Sequence, residues 1–127
     1  MPAIDTNALL RLFVTDNEIQ SQKVRNLLRK QEAIFVSVPV ICETIWVLES
    51  FYHLKKDEII ATVEKILKTD RLEVEHTEVI WYALSEFRDA SMGLADCIIG
   101  EIAKSKQSGP VFTFDKKAAK SPLFKLI

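Results

Sequence analysis

Short apolar segments that alternate with longer helical patterns restrict the fold of this chain more than any other feature. The segments AIFVSV at residues 33–38 and GPVFTF at residues 109–114 have the character of buried strands. Residues 59–67 instead repeat apolar side chains with a period near 3.6, which is typical of an amphipathic helix. This alternation predicts an α/β fold, with a parallel sheet of four or five strands and helices on both faces.

The same patterns assign the other elements along the chain. Ser37 and Asp57 are predicted helix caps, and the 127 residues are expected to form one domain, residues 1–127. The predicted strands are residues 2–5, 33–38, 71–75, 109–114 and an edge strand in the tail LFKLI. The predicted helices are residues 7–14, 18–31, 39–53, one from Asp57, one from Thr77, 94–106 and a short one after Asp115.

Composition excludes several function classes. The chain has 17 Lys and Arg against 18 Asp and Glu, so a strongly basic nucleic-acid glove is not expected. Cys42 and Cys97 lack the spacing of metal ligands and are expected to be reduced thiols. No signal peptide is evident, and no apolar run approaches the roughly 20 residues of a membrane-spanning helix. We therefore expect a cytoplasmic protein without a membrane partner.

Acidic side chains in apolar surroundings are the candidate site residues. Asp5 and Asp115 each follow an apolar strand directly, and ligands of such sheets bind beyond the carboxyl ends of the strands. Glu43 lies roughly 40° beyond the edge of the apolar arc of its helix. Asp96 falls in the first turn of its helix, where the helix dipole favours an anion. We expect these acids to share one edge of the sheet.

Convergence of these acids would require relief of their mutual repulsion. Protonation through raised pKa values is one solution, and a hard divalent cation such as Mg²⁺ or Mn²⁺ is the other. Thr6, Asn7 and Thr113 could add neutral oxygen or amide groups nearby. A carboxylate-held metal activates water and neutralises a phosphoryl oxygen, which is nuclease or phosphatase chemistry.

The ordered motifs resemble those of a known family. IDTN, the glutamate of SVPVICETIWVL, GLADCII and VFTFDKKA are similar to the motifs of PIN-domain nucleases, most of all the VapC-type toxins of toxin–antitoxin pairs. The resemblance implies a Rossmann-like sheet and a Mg²⁺- or Mn²⁺-dependent endoribonuclease, usually a homodimer, inhibited by a cognate antitoxin. By position, the acidic site of the family corresponds to Asp5, Glu43, Asp96 and Asp115, and its supporting positions to Asn7 and Thr113.

One departure from the family pattern concerns the residue three positions before Asp96. Many relatives carry an aspartate there, and this chain has Gly93. The resemblance therefore leaves the contacts of a second metal or of the substrate open.

Structural roles compete with each functional assignment. Asp5 and Asp115 are also good helix caps, Asp96 could serve only the helix dipole, and Glu43 could be a solvated rim residue. Lys116, Lys117, Lys120 and Arg11 are candidate RNA-binding residues, with a solvated helix face as the alternative. Trp46 lies outside the apolar arc of its helix, which indicates a subunit or antitoxin contact or packing under a neighbouring helix.

Two rival functions follow from other classes. A phosphatase of the haloacid-dehalogenase type needs a second aspartate two residues after the first, where this chain has Asn7. A non-catalytic PIN-like module that binds RNA or protein would not need all four acids. A nucleotide-binding P-loop is excluded because no glycine-rich phosphate loop exists in the chain.

Overall fold

The computed structural model describes all 127 residues and divides into two compact units. The N-terminal unit comprises residues 1–75 and the C-terminal unit residues 76–127. The N-terminal unit contains α1 (Thr6–Phe13), α2 (Glu18–Lys30), β1 (Ile34–Val36), α3 (Val38–Ser50), α4 (Lys56–Lys68) and β2 (Leu72–Val74). The C-terminal unit contains α5 (Thr77–Phe87), α6 (Leu94–Ser105), β3 (Val111–Thr113), a 3₁₀ turn (Ala118–Lys120) and β4 (Phe124–Leu126).

In the N-terminal unit, β1 and β2 pair in parallel across the connection made by α3 and α4. Ile34 lies opposite Leu72, and Val36 lies opposite Val74. All four side chains are buried, which explains why these strands are short apolar runs. The helices contribute their apolar stripes to the same core, with Leu9, Ile41, Ile45, Leu48, Ile59, Val63 and Ile66 each at most 1% exposed.

In the C-terminal unit, α5 packs on α6, and β3 pairs in parallel with β4. The α5–α6 core consists of small and branched apolar side chains, namely Ile80, Ala83, Leu84, Leu94, Cys97 and Ile98. Gly100 permits a close approach of α6 to the last strand, because a Cβ atom there would lie 2.9 Å from the Phe124 ring. The same Cβ would lie 3.1 Å from Leu123, so a side chain at this position would force the two elements apart.

The predicted α/β class with parallel strands is confirmed. The strands form two parallel pairs, one in each unit, where the sequence predicted a sheet of four or five strands. The predicted first strand at residues 2–5 contracts to a single parallel bridge between Ala3 and Phe35. It ends early because Asp5 already serves as the N-cap of α1. The assignment of residues 1–127 to one domain stays a prediction.

The helix boundaries agree closely with the sequence patterns, with one wrong cap. Ser37 is the N-cap of α3, and its side chain accepts a hydrogen bond from the Val40 amide. Asp57 is not a cap, because α4 begins one residue before it and Lys55 holds the N-cap position. Glu58 stabilises this start by accepting a hydrogen bond from the Lys55 amide at 3.0 Å. No helix in the structure combines the length and the apolar content that crossing a lipid bilayer requires.

Candidate active site

Asp5 is held at the start of α1 by the backbone. Its Oδ1 atom accepts a hydrogen bond from the Ala8 amide at 2.9 Å, while the side chain remains exposed. Ile4, directly before it, is buried and anchors the extended segment that leads into the helix. The cap engages one carboxylate oxygen and leaves Oδ2 available to a ligand. Helix capping and metal binding by Asp5 are therefore compatible.

Glu43 projects from α3 into a shallow depression of about 310 Å³. Thr6 and Asn7 of α1 line the same depression, so three of the predicted site residues come together in the N-terminal unit. Glu43 is exposed and Thr6 is buried. The polar wall that they form agrees with the predicted position of Glu43 at the border of the apolar arc.

Asn7 is tied into a hydrogen-bond network that the sequence did not indicate. Arg11 donates from Nη2 to the Asn7 Oδ1 atom at 3.0 Å and forms an ion pair with Asp16. The Tyr52 hydroxyl donates to the other oxygen of Asp16 at 2.7 Å. This hydrogen bond, with the nearby Arg11 charge, holds the pKa of the Asp16 carboxyl below its usual value. Arg11, a predicted RNA-binding residue, is thus engaged inside its own unit, with 15% of its side chain exposed.

Asp96 and Asp115 come into electrostatic contact in the C-terminal unit. Asp96 lies in the first turn of α6 as predicted and is half-buried, whereas Asp115 follows β3 and is exposed. Burial raises the pKa of Asp96, and the negative charge of Asp115 raises it further. The structure therefore pairs two of the predicted acids with like charge.

Asp115 is oriented by the turn that follows β3. Its Oδ1 atom accepts hydrogen bonds from the amides of Lys117 at 2.8 Å and Ala118 at 3.4 Å. Thr113 supports the same turn, since its hydroxyl accepts from the Asp115 amide at 3.0 Å. As in Asp5, one carboxylate oxygen is fixed by backbone amides and the other remains available.

The predicted basic residues after Asp115 are exposed side chains at the surface of the C-terminal unit. Lys117 and Lys120 line a cavity of about 370 Å³ that also contains Glu86 and Asp89, so its charges are mixed. Lys116 does not line this cavity. Contact of these lysines with RNA stays a prediction.

The C-terminal unit contains a second pair of neighbouring carboxyl groups, which the sequence did not predict. Glu86 accepts a hydrogen bond from the Ser121 hydroxyl at 2.9 Å, and it interacts with Glu101 of the neighbouring helix. Burial and then the Glu86 charge raise the pKa of Glu101, against the lowering effect of Lys104. Both glutamates stand in sequence segments of ordinary helical periodicity, so no local signal marks them.

The predicted acids are divided between the units, with Asp5 and Glu43 in one and Asp96 and Asp115 in the other. Neither unit by itself gathers three or more acidic, histidine or cysteine side chains into a group that could hold a metal ion. The convergence of all four acids stays a prediction.

Comparison with known proteins establishes the family. The family model of the PIN domain matches residues 3–122. The chain belongs to the PIN-domain family. It is similar to a protein named "VapC ribonuclease" from Aquifex aeolicus (strain VF5), with 28% identity over 123 residues that cover 94% of this chain and 91% of the relative. The resemblance inferred from the four ordered motifs is thereby confirmed.

The departure at Gly93 has a defined structural setting in this PIN-domain chain. Gly93 is the N-cap residue of α6 and offers no capping side chain. A Cβ atom at this position would lie 4.0 Å from the Asp96 Oδ2 atom, which is ordinary van der Waals contact. The Cβ atom of a larger residue would therefore meet no clash at this position.

Proposed function

We propose that this protein is a metal-dependent endoribonuclease that hydrolyses RNA phosphodiester bonds as the toxin of a type II toxin–antitoxin pair. Membership of the PIN-domain family supports the nuclease class. Similarity to a relative named as a ribonuclease over 94% of the chain supports RNA as the substrate. All four acids of the family pattern are present in order, which favours an active enzyme over a module without turnover.

The observation that carries the proposal is the way Asp5 and Asp115 are held. The Oδ1 atom accepts from one backbone amide in Asp5 and from two in Asp115, which leaves each Oδ2 atom as an oriented oxygen donor. Asp96 adds a further carboxylate close to Asp115. Oxygen donors of this kind fit Mg²⁺ or Mn²⁺ and do not suit softer metals. We assign Asp5, Glu43, Asp96 and Asp115 as the residues that hold the metal.

When bound, Mg²⁺ or Mn²⁺ supplies charge neutralisation at the phosphate and lowers the pKa of a coordinated water molecule. The chain itself positions the groups around this chemistry. Thr113 keeps Asp115 in its turn, and Arg11 holds the amide of Asn7 in place. Lys116, Lys117 and Lys120 offset the negative charge that approaching RNA brings toward the acids.

The remaining parts of the proposal concern partners and context. We assign an antitoxin protein as the inhibitor and a homodimer as the working assembly. We place the activity in the cytoplasm, and we assign both units to one PIN domain, since the family match spans residues 3–122.

Cleavage of an RNA with single-stranded loops tests this function. The wild-type protein should cleave the RNA with Mn²⁺ and lose activity in EDTA, and Asp96→Asn should cleave at least roughly 100-fold more slowly. Asp70→Asn is the matched control, because the Asp70 side chain is 99% exposed and belongs to no predicted site. Equal cleavage by wild type and Asp96→Asn would overturn the proposal.

A non-catalytic PIN-like binding module is the second candidate, and Gly93 is the observation that favours it. This candidate predicts RNA binding without cleavage under every metal condition, so the same assay separates the two. The phosphatase alternative is excluded by membership of the PIN-domain family.

A further inference from the structure

Two exposed aromatic side chains border the predicted site residues of the N-terminal unit. Trp46 is 66% exposed and follows Glu43 by three residues on α3, so both side chains project from the same side of the helix. Phe51, directly after α3, is 69% exposed. Both rings line the depression that also contains Thr6, Asn7 and Glu43. The surface next to the predicted carboxylate is therefore aromatic.

Contacts within the N-terminal unit position Phe51, one of the two rings of the aromatic corner formed by Trp46 and Phe51. The Phe51 and Tyr52 rings meet edge to face, with centroids 5.0 Å apart and an interplanar angle of 80°. The Tyr52 hydroxyl is bound by Asp16, which pairs with Arg11, and Arg11 in turn bonds Asn7. One continuous network thus connects the Phe51 ring to a predicted site residue. A ligand that stacks on Phe51 would meet a ring that is already in position.

The charges of the depression determine which part of an RNA molecule fits there. Arg11 is the only cationic residue in the lining, and its ion pair with Asp16 compensates its charge. Glu43 adds a negative charge. A phosphate group would therefore find repulsion and no free cation, whereas a neutral flat ring would find aromatic faces and polar groups at the edge. A nucleobase has this chemistry.

We propose that Trp46 and Phe51 form a stacking subsite for one unpaired nucleobase of the RNA substrate, beside Glu43. This inference rests on the proposed nuclease function and assigns part of its substrate contact. The predicted site residues Thr6, Asn7 and Glu43 in its lining set this surface apart from the exposed Tyr82 of α5. Tyr82 is 60% exposed, and its cavity contains none of the predicted site residues.

Binding of a fluorescein-labelled single-stranded RNA tests the subsite, with Asp96→Asn as a background that prevents cleavage. Trp46→Ala should weaken RNA binding about 5- to 150-fold, the range of one base–aromatic stack. Trp46→Phe should retain most of the affinity because it keeps an aromatic face. Tyr82→Ala is the matched control and should bind RNA as the background protein does. Thermal unfolding of each variant verifies folding, which the exposure of Trp46 is expected to preserve.

Abasic substitution along the same RNA locates the stacked base. Removing one base should weaken binding to the protein that keeps Trp46 and should cause no further loss in Trp46→Ala. Losses that are equal in both proteins at every RNA position would overturn the subsite. So would unchanged RNA affinity in Trp46→Ala.

Two other occupants of the aromatic corner would each contradict the proposal through a distinct result. A second copy of the chain predicts that Trp46→Ala lowers the molar mass in light scattering without weakening RNA binding. A protein inhibitor predicts that Trp46→Ala lowers only the affinity for the purified antitoxin. Failure of the proposed function is separable from these outcomes, since the wild-type protein would then not cleave RNA in the presence of Mn²⁺, whatever effect Trp46→Ala has on RNA binding.

Discussion

Asp16 of the N-terminal unit and Asp96 of the C-terminal unit have pKa values that are shifted in opposite directions. In the N-terminal unit, Asp16 receives the Tyr52 hydroxyl and the Arg11 guanidinium, and its pKa is lowered. In the C-terminal unit, partial burial and the negative charge of Asp115 raise the pKa of the Asp96 carboxyl. The N-terminal network satisfies its charge with its own donors. The like-charged C-terminal pair would be relieved by an added cation, so we expect metal binding to depend most on the C-terminal acids.

The largest expected effect is the loss of cleavage when one predicted acid is neutralised in each unit. Asp115→Asn and Glu43→Gln should each reduce Mn²⁺-dependent RNA cleavage at least roughly 100-fold. Calorimetric titration should show a larger loss of Mn²⁺ affinity for Asp115→Asn, because it removes one member of the like-charged pair. A larger loss of Mn²⁺ affinity in Glu43→Gln would break the comparison between the units.

A smaller effect is expected from overpacking the C-terminal unit at Gly100. The Cβ atom of Gly100→Ala would lie 2.9 Å from the Phe124 ring, so the variant should lose about 1–3 kcal/mol of unfolding free energy in urea. Gly109→Ala is the control, since a Cβ atom there meets nothing within 4 Å. If Gly100→Ala unfolds in two urea transitions and only one of them is shifted from its wild-type midpoint, the two units unfold separately. Equal stability of the two alanine variants would contradict the close packing.

The smallest expected effects are two stability changes of opposite sign. The raised pKa of Asp96 means that ionisation of this carboxyl destabilises the folded protein. This destabilisation is absent below the ordinary aspartate pKa of 3.8 and develops as pH rises through the folded pKa. Asp96→Asn should therefore stabilise the metal-free protein at pH 7. The lowered pKa of Asp16 contributes stability above its ordinary value that is lost as pH falls through the folded pKa, so Asp16→Asn should destabilise at pH 7.

Urea unfolding in EDTA at pH 7 and at a pH below 3.8 measures both changes. Each should be smaller than the effect of Gly100→Ala. The change caused by Asp96→Asn should vanish at the acidic pH, and the change caused by Asp16→Asn should be smaller there than at pH 7. Addition of Mn²⁺ should stabilise the wild-type protein more than Asp96→Asn. The same sign for both variants at pH 7 would remove the electrostatic distinction between the units.

Local patterns predicted the helices better than the strands. The apolar period of α4 and the Ser37 cap of α3 are properties of neighbouring residues, and both were predicted correctly. The first strand was predicted to be too long because an apolar run does not reveal where its pairing with a neighbouring strand ends. The cap of α4 was misplaced because Asp57 is a favourable cap by residue type, whereas the helix begins at Lys56 and Lys55 is the N-cap residue. The Lys55 amide donates a hydrogen bond to Glu58, which stabilises this start.

In the candidate site, too, features that depend on neighbouring residues were predicted and contacts between distant residues were not. Asp5 as a helix cap and Asp96 in a first turn follow from local sequence, and both were foreseen. The pairing of Arg11 with Asp16 and Tyr52 was not foreseen. Asp16 and Tyr52 are 36 residues apart, and neither lies in a motif that predicts contact with the other.

The sequence alone determined the family, the order of the acids and the alternation of strands and helices, because each depends on residue type and on spacing along the chain. Only the tertiary structure decided how charge is distributed around those acids. Burial and the approach of distant side chains set the pKa of a carboxyl group, and both arise when separate segments pack together. The balanced network around Asp16 and the like-charged pair of Asp96 and Asp115 are products of that packing.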